Sequence, residues 1–236
     1  MSVPVQSRAA RSIAAPAPPA TIAVIGGTGA LGHALARRWA ASGVQIRIGS
    51  RNVDAARAAA TGLPGAVGAD YRTAIEQCST VVLTVPFAGH SEALGLLATL
   101  MQPGQILVDT TVPMSRSHPR GLRPLTPFAG SAAQEARDLL PDSIHVVSAL
   151  HTVSAAMLDN LDHPLDEDVL VFGDDQPSVT QTMALITAID GLRPINAGPL
   201  DLSRVGEQLT PMIIGVNRRY KAHAGIKLTD LRPHVA

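Results

Sequence analysis

Cysteine is almost missing from this chain. Cys78 stands alone, so an internal disulfide framework and a cysteine-rich metal site are both excluded, and the lone thiol reads as a small buried residue. Charge of one sign is missing too: nineteen Lys and Arg offset nineteen Asp and Glu. That balance removes the global field that would draw the protein to nucleic acid or to an anionic membrane, and any charged ligand must be held by local groups. No apolar run is long enough to span a bilayer. The histidines form no close pair at ligand spacing, so no metal site is expected. Residues 1–20 lack the continuous apolar stretch of a secretory signal and read as a disordered Ala/Pro tail; the expected compartment is the cytoplasm.

What the chain does have is apolar residues in short, periodic runs. Its 236 residues can bury a substantial core and suit one α/β domain with an appendage. The run Thr21–Ile25 is β-branched and is followed at once by Gly26, Gly27, Gly29 and Gly32, opening into a helical pattern at Leu31, Leu35 and Trp39. In Gly27-x-Gly29-x-x-Gly32 the glycines permit a tight turn, close approach of a pyrophosphate and close packing of helix on strand. The unpaired amides of the helix start then face the phosphates. Alone, such a fingerprint also serves as a structural turn. Here a second strand, Val44–Gly49, follows on schedule and favours the dinucleotide reading.

At the end of that second strand an NAD site carries Asp or Glu for the ribose hydroxyls. This chain has Ser50 and Arg51. A hydroxyl beside a guanidinium fork suits a phosphate dianion, which points to NADP(H); a solvated loop arginine is the alternative. Arg47 ranks below Arg51 because strand alternation leaves its direction open.

The rest alternates in the same way. A helix is expected over Asp54–Thr61, a strand over Ala66–Ala69, a short helix over Arg72–Gln77 and a buried strand over Thr80–Pro86. Then come a helix over Ser91–Met101, a strand over Gln105–Asp109, a long proline-rich connection over 112–130 containing Arg116, Arg120 and Arg123, and a helix over Ser131–Leu140. Strands His145–Leu150 and Val169–Phe172, a helix Ser178–Ile189, an extended piece Arg193–Ala197 and a long helix Leu202–Tyr220 complete the chain. The fold class is therefore α/β: a Rossmann-like, doubly wound, mostly parallel sheet with a smaller C-terminal α/β part. The expected division is a tail over 1–20, a nucleotide-binding domain over 21–150 and a smaller part over 151–236. Ligands of such sheets lie at the carboxyl ends of the strands, so Thr84, Val85, Pro86 and the Asp109–Thr111 segment border the site, unless they are ordinary strand-end punctuation.

Several of these segments resemble the coenzyme F420-dependent NADP reductases. The likeness runs from Ile22 to about Leu228 and is carried by GGTGALG at 26–32, GSR at 49–51, TVP at 84–86, VPMSR at 112–116, VVSALHT at 146–152, FGDD at 172–175, IDGLRPINAGPL at 189–200 and GIKL at 225–228. The resemblance implies NADP held by residues 28–31, Ser50 and Arg51. It implies a hydride passed between nicotinamide C4 and the deazaflavin C5 of F420 near Val85, Pro86, Ala149 and His151, and a homodimer. Two departures accompany it. Ala55 replaces a lysine that supports the 2′-phosphate in the family, which weakens the expected NADP preference, and the loop 117–130 differs from the family's shorter, more polar one.

Ring-to-ring hydride transfer needs proximity, orientation and a dry pocket more than acid–base groups. The chain fits that demand, because no lysine stands four residues after Tyr71 or Tyr220, as the Tyr-x-x-x-Lys donor of many carbonyl reductases requires. His151, following a strand end, is the candidate catalytic residue, able to hydrogen-bond a ring carbonyl or assist protonation; a satisfied structural histidine is the alternative reading. A flavin, imine or small carbonyl in place of F420, and a non-catalytic NADP-binding protein, remain open on the residues.

Overall fold

A computed structural model describes residues 17–115 and 122–231. Arg116, Arg120 and the tail up to residue 16 lie outside this range. The first unit is β1 (Thr21–Ile25), α1 (Ala30–Ala41) and β2 (Gln45–Gly49), followed by α2 (Val53–Ala60) and β3 (Ala66–Ala69). Next come α3 (Tyr71–Ile75), β4 (Thr80–Leu83), α4 (His90–Leu100) and β5 (Ile106–Asp109). The long connection is not featureless: β6 (Met114–Ser115) and β7 (Arg123–Pro124) pair antiparallel within it. The chain continues as α5 (Ala132–Leu139), β8 (His145–Ser148), α6 (Ala155–Asp159), β9 (Glu167–Gly173), α7 (Gln176–Thr187), β10 (Leu192–Gly198) and α8 (Ser203–Tyr220).

Eight strands form one sheet in the order β10-β9-β8-β5-β4-β1-β2-β3. The six strands from β8 to β3 in that order run parallel. β9 pairs antiparallel with β8, and β10 pairs parallel with β9. The central strands β1, β4 and β5 are apolar and buried on both faces because helices cover both sides. One core gathers Trp39, Ile46, Ile48, Leu158 and Leu185; the other gathers Tyr71, Leu94, Leu97, Ala133 and Ile144.

Local chemistry sets the helix starts. Asn52, Asp70, Ser131 and Asp175 accept hydrogen bonds from the amides of Ala55, Thr73, Gln134 and Ser178, so α2, α3, α5 and α7 each begin at a side-chain cap. The single tryptophan, Trp39, is fully buried and donates its Nε1–H to the Leu185 carbonyl at 2.9 Å, fastening α1 to α7. Arg38 reaches the carbonyls of Met157, Leu158 and Asn160 and so holds the C-terminal end of α6 against α1. Residues 225–228 return to the sheet: the Asp168 amide donates to the Ile226 carbonyl, and the Asp168 carboxylate takes a two-pronged contact from Arg193 and the Leu228 amide. No described helix is long and apolar enough to cross a membrane.

Candidate functional site

β1 ends at Ile25, and Gly26 turns the chain with φ +87°, a conformation in which a side chain would be strained. The Gly29 amide closes this turn on the Gly26 carbonyl at 2.8 Å, and Gly29 is the cap residue of α1. No side chain caps α1, and its first turn carries no acid. The amides of Thr28, Ala30 and Leu31 are therefore left to an external anion. Thr28, Gly29 and Ala30 are exposed, and Leu31 is half-buried against the core. The cradle depends on the absence of side chains. A Cβ on Gly27 would meet Ile48 Cγ2 at 2.9 Å, and one on Gly32 would meet Thr84 Oγ1 at 2.4 Å and the Gly26 carbonyl at 2.7 Å. These contacts fit a pyrophosphate approached by bare backbone.

Thr84 serves the cradle from beneath. Its amide and its hydroxyl both donate to the Ile25 carbonyl, at 2.8 and 2.9 Å, so the hydroxyl is spent on holding the end of β1. Val85 is half-buried, and Pro86 is exposed at the start of the short 3-10 turn Phe87–Gly89. β4 stops at Leu83 rather than at Pro86, which places Thr84, Val85 and Pro86 on the loop at the carboxyl edge.

Beside the cradle stand Ser50 and Arg51. Ser50 Oγ accepts from the Asn52 amide at 3.1 Å, which orients the hydroxyl proton away from that bond. Arg51 is exposed and its Nη1 lies 3.1 Å from Glu92 Oε1 of α4. Arg47 is remote from this pair: its charge acts on the buried Cys78 thiol, whose pKa burial raises to about 11. The Ala55 amide bonds Asn52, so that position contributes to the α2 cap and offers no cation. The donor set of Ser50, Arg51 and the free α1 amides fits a dinucleotide carrying a 2′-phosphate.

The far side of the edge is built from β4, β5 and β8, which are neighbours in the sheet. Ala149, whose amide donates to the Asp109 carbonyl, is completely buried. Leu150 follows with φ +64°, a left-handed conformation uncommon for a branched side chain. His151 is 7% exposed; its Nε2 lies 2.9 Å from Ser148 Oγ, and its carbonyl accepts from Thr210 Oγ1 of α8. Burial lowers its pKa to about 4, against the opposing pull of Asp109, so the ring is neutral near pH 7.

Beneath these residues lies a charged cluster that the sequence reading did not assemble. His90 is fully buried, with Nε2 2.8 Å from Asp109 Oδ2 and Nδ1 3.2 Å from Glu135 Oε1. Burial opposes its charge, but the hydrogen bonds and charges of Asp109 and Glu135 outweigh burial and raise its pKa. Asp109 is displaced downward: desolvation works against it, and the bond to His90 prevails. Nearby, Glu207 of α8 accepts the amides of Ala132 and Ala133 at 3.0 and 3.2 Å, capping α5 from another helix. Burial raises its carboxyl to about 7.

Fold and site together have the form of a doubly wound, dinucleotide-binding protein. The family model described as "NADP oxidoreductase coenzyme F420-dependent" matches residues 21–113. The chain is 35% identical over 222 residues to the F420-dependent NADP reductase of Methanocaldococcus jannaschii, covering 89% of this chain and 98% of the relative. It is 34% identical over 221 residues to the reductase of the same name from Methanothermobacter marburgensis, with the same coverage. It belongs to the F420-dependent NADP reductase family. Among solved structures, a candidate F420-dependent NADP-reductase from Arthrobacter sp. FB24 superposes with a TM-score of 0.78 at 24% identity, covering 88% of this chain and 98% of that one. A pyrroline-5-carboxylate reductase from Coxiella burnetii shares the fold at a TM-score of 0.60 and 13% identity, covering 84% and 67%.

Proposed function

We propose that this protein transfers a hydride between NADP(H) and the deazaflavin of coenzyme F420. The observation that carries the reading is the extent of the family likeness, which covers 89% of the chain and so includes both sides of the cleft. NADPH bound here supplies a hydride from nicotinamide C4 to deazaflavin C5, and the acceptor takes up a proton from the medium. The residues hold and orient. Gly26, Gly27, Gly29 and Gly32 admit the pyrophosphate, the α1 amides bind it, and Ser50 and Arg51 take the 2′-phosphate. Thr84 fixes the cradle, Val85 and Pro86 would flank the nicotinamide at the loop edge, and Ala149, buried and bonded to the Asp109 carbonyl, would back that side of the cleft. His151, neutral and buried with its Nε2 held by Ser148 Oγ, would fix the acceptor-side wall, and would reach a ring carbonyl only by giving up that bond.

In this reading residues 21–150 hold the nucleotide, and the part from 151 onward closes the cleft on the acceptor side. The protein acts as a homodimer in the cytoplasm. Support for pairing comes from α8, where Val205 and Met212 are 57% and 55% exposed on an apolar stripe; sedimentation at micromolar concentration checks it. The function is tested by mixing the pure protein with NADPH and oxidised F420 and following deazaflavin absorbance. Tight NADPH binding with no loss of that absorbance would remove F420 as the acceptor.

A further inference from the structure

The clamp at Ser50 and Arg51 has a second wall on the neighbouring strand. β3 pairs β2 in parallel with Gly49 opposite Ala69, and the Ser50 amide donates to the Ala69 carbonyl at 3.1 Å. The residues just beyond the two strands therefore emerge side by side. Ser50 and Arg51 from one, and Tyr71 and Arg72 from the other, line a single open cavity of 440 Å³ floored by Leu96 and Leu100 of α4.

The charges around that cavity are unevenly engaged. Asp70, at its edge, has both carboxylate oxygens occupied, Oδ1 by the Thr73 amide at 2.8 Å and Oδ2 by the Thr73 hydroxyl at 3.2 Å. Arg51 is paired with Glu92, but both partners are about three-quarters exposed, at 74% and 73%, and such a pair is held weakly. Arg72 makes no ion pair among the described residues. Tyr71 sits between these groups, its phenol influenced by the charges of both Arg51 and Glu92. A phosphate dianion entering here meets two guanidinium groups and two carboxylates, the loosely held Glu92 and Asp70, whose oxygens are both engaged by Thr73. Neutralising a double negative charge takes both cations, and Arg51 becomes fully available only when Glu92 lets go.

We infer that Arg72 is a second specificity-determining cation for the 2′-phosphate of NADP(H), and that Glu92 is the carboxylate this phosphate displaces from Arg51. The inference rests on the reading of Ser50 and Arg51 as the 2′-phosphate clamp. Glu92 then acts as a tether that keeps Arg51 near the cavity mouth in the free protein and tempers the affinity.

Calorimetric titration with 2′,5′-ADP and with 5′-AMP separates the phosphate from the rest of the cofactor without any turnover. Arg72→Ala is expected to weaken 2′,5′-ADP about tenfold and leave 5′-AMP within about twofold, while Arg72→Lys recovers part of the loss. Glu92→Gln is expected to tighten 2′,5′-ADP about threefold. Unchanged 2′,5′-ADP binding by Arg72→Ala would overturn the role of Arg72, and no tightening by Glu92→Gln would overturn that of Glu92. Arg51→Ala separates this from the parent reading. If it fails to discriminate between the two nucleotides, the clamp itself is misplaced; if it discriminates and Arg72→Ala does not, only the second cation falls. Melting temperatures equal to that of the parent protein certify that each exposed substitution leaves the fold intact.

Discussion

Around the glycine turn the chain works with backbone and small atoms, whereas beneath the ends of β4, β5 and β8 it buries charge. The cradle joins residues no more than a few positions apart, save for Ile48 and Thr84, and its demand is steric. The buried cluster joins His90 to Asp109 and Glu135, and Glu207 to the start of α5, across nineteen to seventy-five positions of sequence, and its demand is electrostatic. The contrast teaches that one edge of a sheet can be made rigid in two unrelated ways. Space is fixed on the adenosine side by what cannot fit, and on the acceptor side by charges that have nowhere else to go.

The sharpest way to break the comparison is to unbalance the charged side. Asp109→Ala leaves a buried imidazole with only the partly exposed Glu135, and loss of one partner of a buried pair costs about 3–5 kcal/mol. Urea unfolding should register that loss. Adding His90→Leu should recover part of it, because the cost lies in the orphaned charge. If Asp109→Ala unfolds like the parent protein, the cluster is not what holds this side together.

A gentler probe of the same side is pH. The Glu207 carboxyl titrates near 7 in the folded chain and near about 4.3 when unfolded. Between those values the folded state keeps a proton that the unfolded state has released, so stability falls as pH rises. The total is about 4 kcal/mol, complete above the folded pKa. His90 acts in the same direction: its raised pKa gives stability that is full below its unfolded pKa and fades as pH passes through the folded one. Glu207→Gln should flatten the decline between pH 5 and pH 8, leaving the part due to His90. An equally steep decline in the variant would reassign the titration.

The steric side breaks by addition. Gly32→Ala drives a Cβ to 2.4 Å from Thr84 Oγ1 and 2.8 Å from Gly27 Cα, an overpacking worth about 1–3 kcal/mol. Because the strain falls on the turn itself, NADPH affinity should drop by more than about tenfold while urea stability falls less than in Asp109→Ala. Full-strength NADPH binding by Gly32→Ala would mean that the turn relaxes freely and the cradle is not sterically fixed.

The same division explains what could be read from the residues alone. Thr21 to Arg51 was legible because strand, turn, helix and strand are set by near neighbours, and the glycines mark where side chains cannot go. The strand over 80–86 was legible as apolar, but its end was not: the ladder stops at Leu83, and Thr84 turns both its amide and its hydroxyl to the Ile25 carbonyl, a contact fifty-nine positions away. The direction of β9 was hidden because an apolar run carries no polarity, and the β6–β7 pair is only two residues deep on each side. His90, seven residues beyond the end of β4, is fully buried, and nothing local announces that Asp109 and Glu135 converge on it. Arg72 was read only as the start of a short helix. Its place beside Ser50 follows from the register of β3 on β2, a signal available once that pairing is drawn.

Ser50 offers the smallest and most selective test, because it can be altered without touching either packing or buried charge. One lone pair of its hydroxyl is taken by the Asn52 amide at 3.1 Å, which fixes the oxygen and leaves the proton free to donate toward the cavity. Ser50→Ala removes one donor to a phosphate oxygen, a loss of about 1 kcal/mol or about fivefold in NADPH affinity. NADH, which presents a hydroxyl at that place, should weaken less, since its own hydroxyl can turn to water. Ser50→Thr keeps the donor and should bind NADPH nearly as the parent does. Because the Asn52 amide loses its acceptor in Ser50→Ala but not in Ser50→Thr, a fall in melting temperature confined to Ser50→Ala would report that hydrogen bond, and one confined to Ser50→Thr would report crowding by the added methyl. Equal weakening of NADPH and NADH by Ser50→Ala would place the hydroxyl on the ribose rather than on the phosphate, and would leave the choice of cofactor to the arginines.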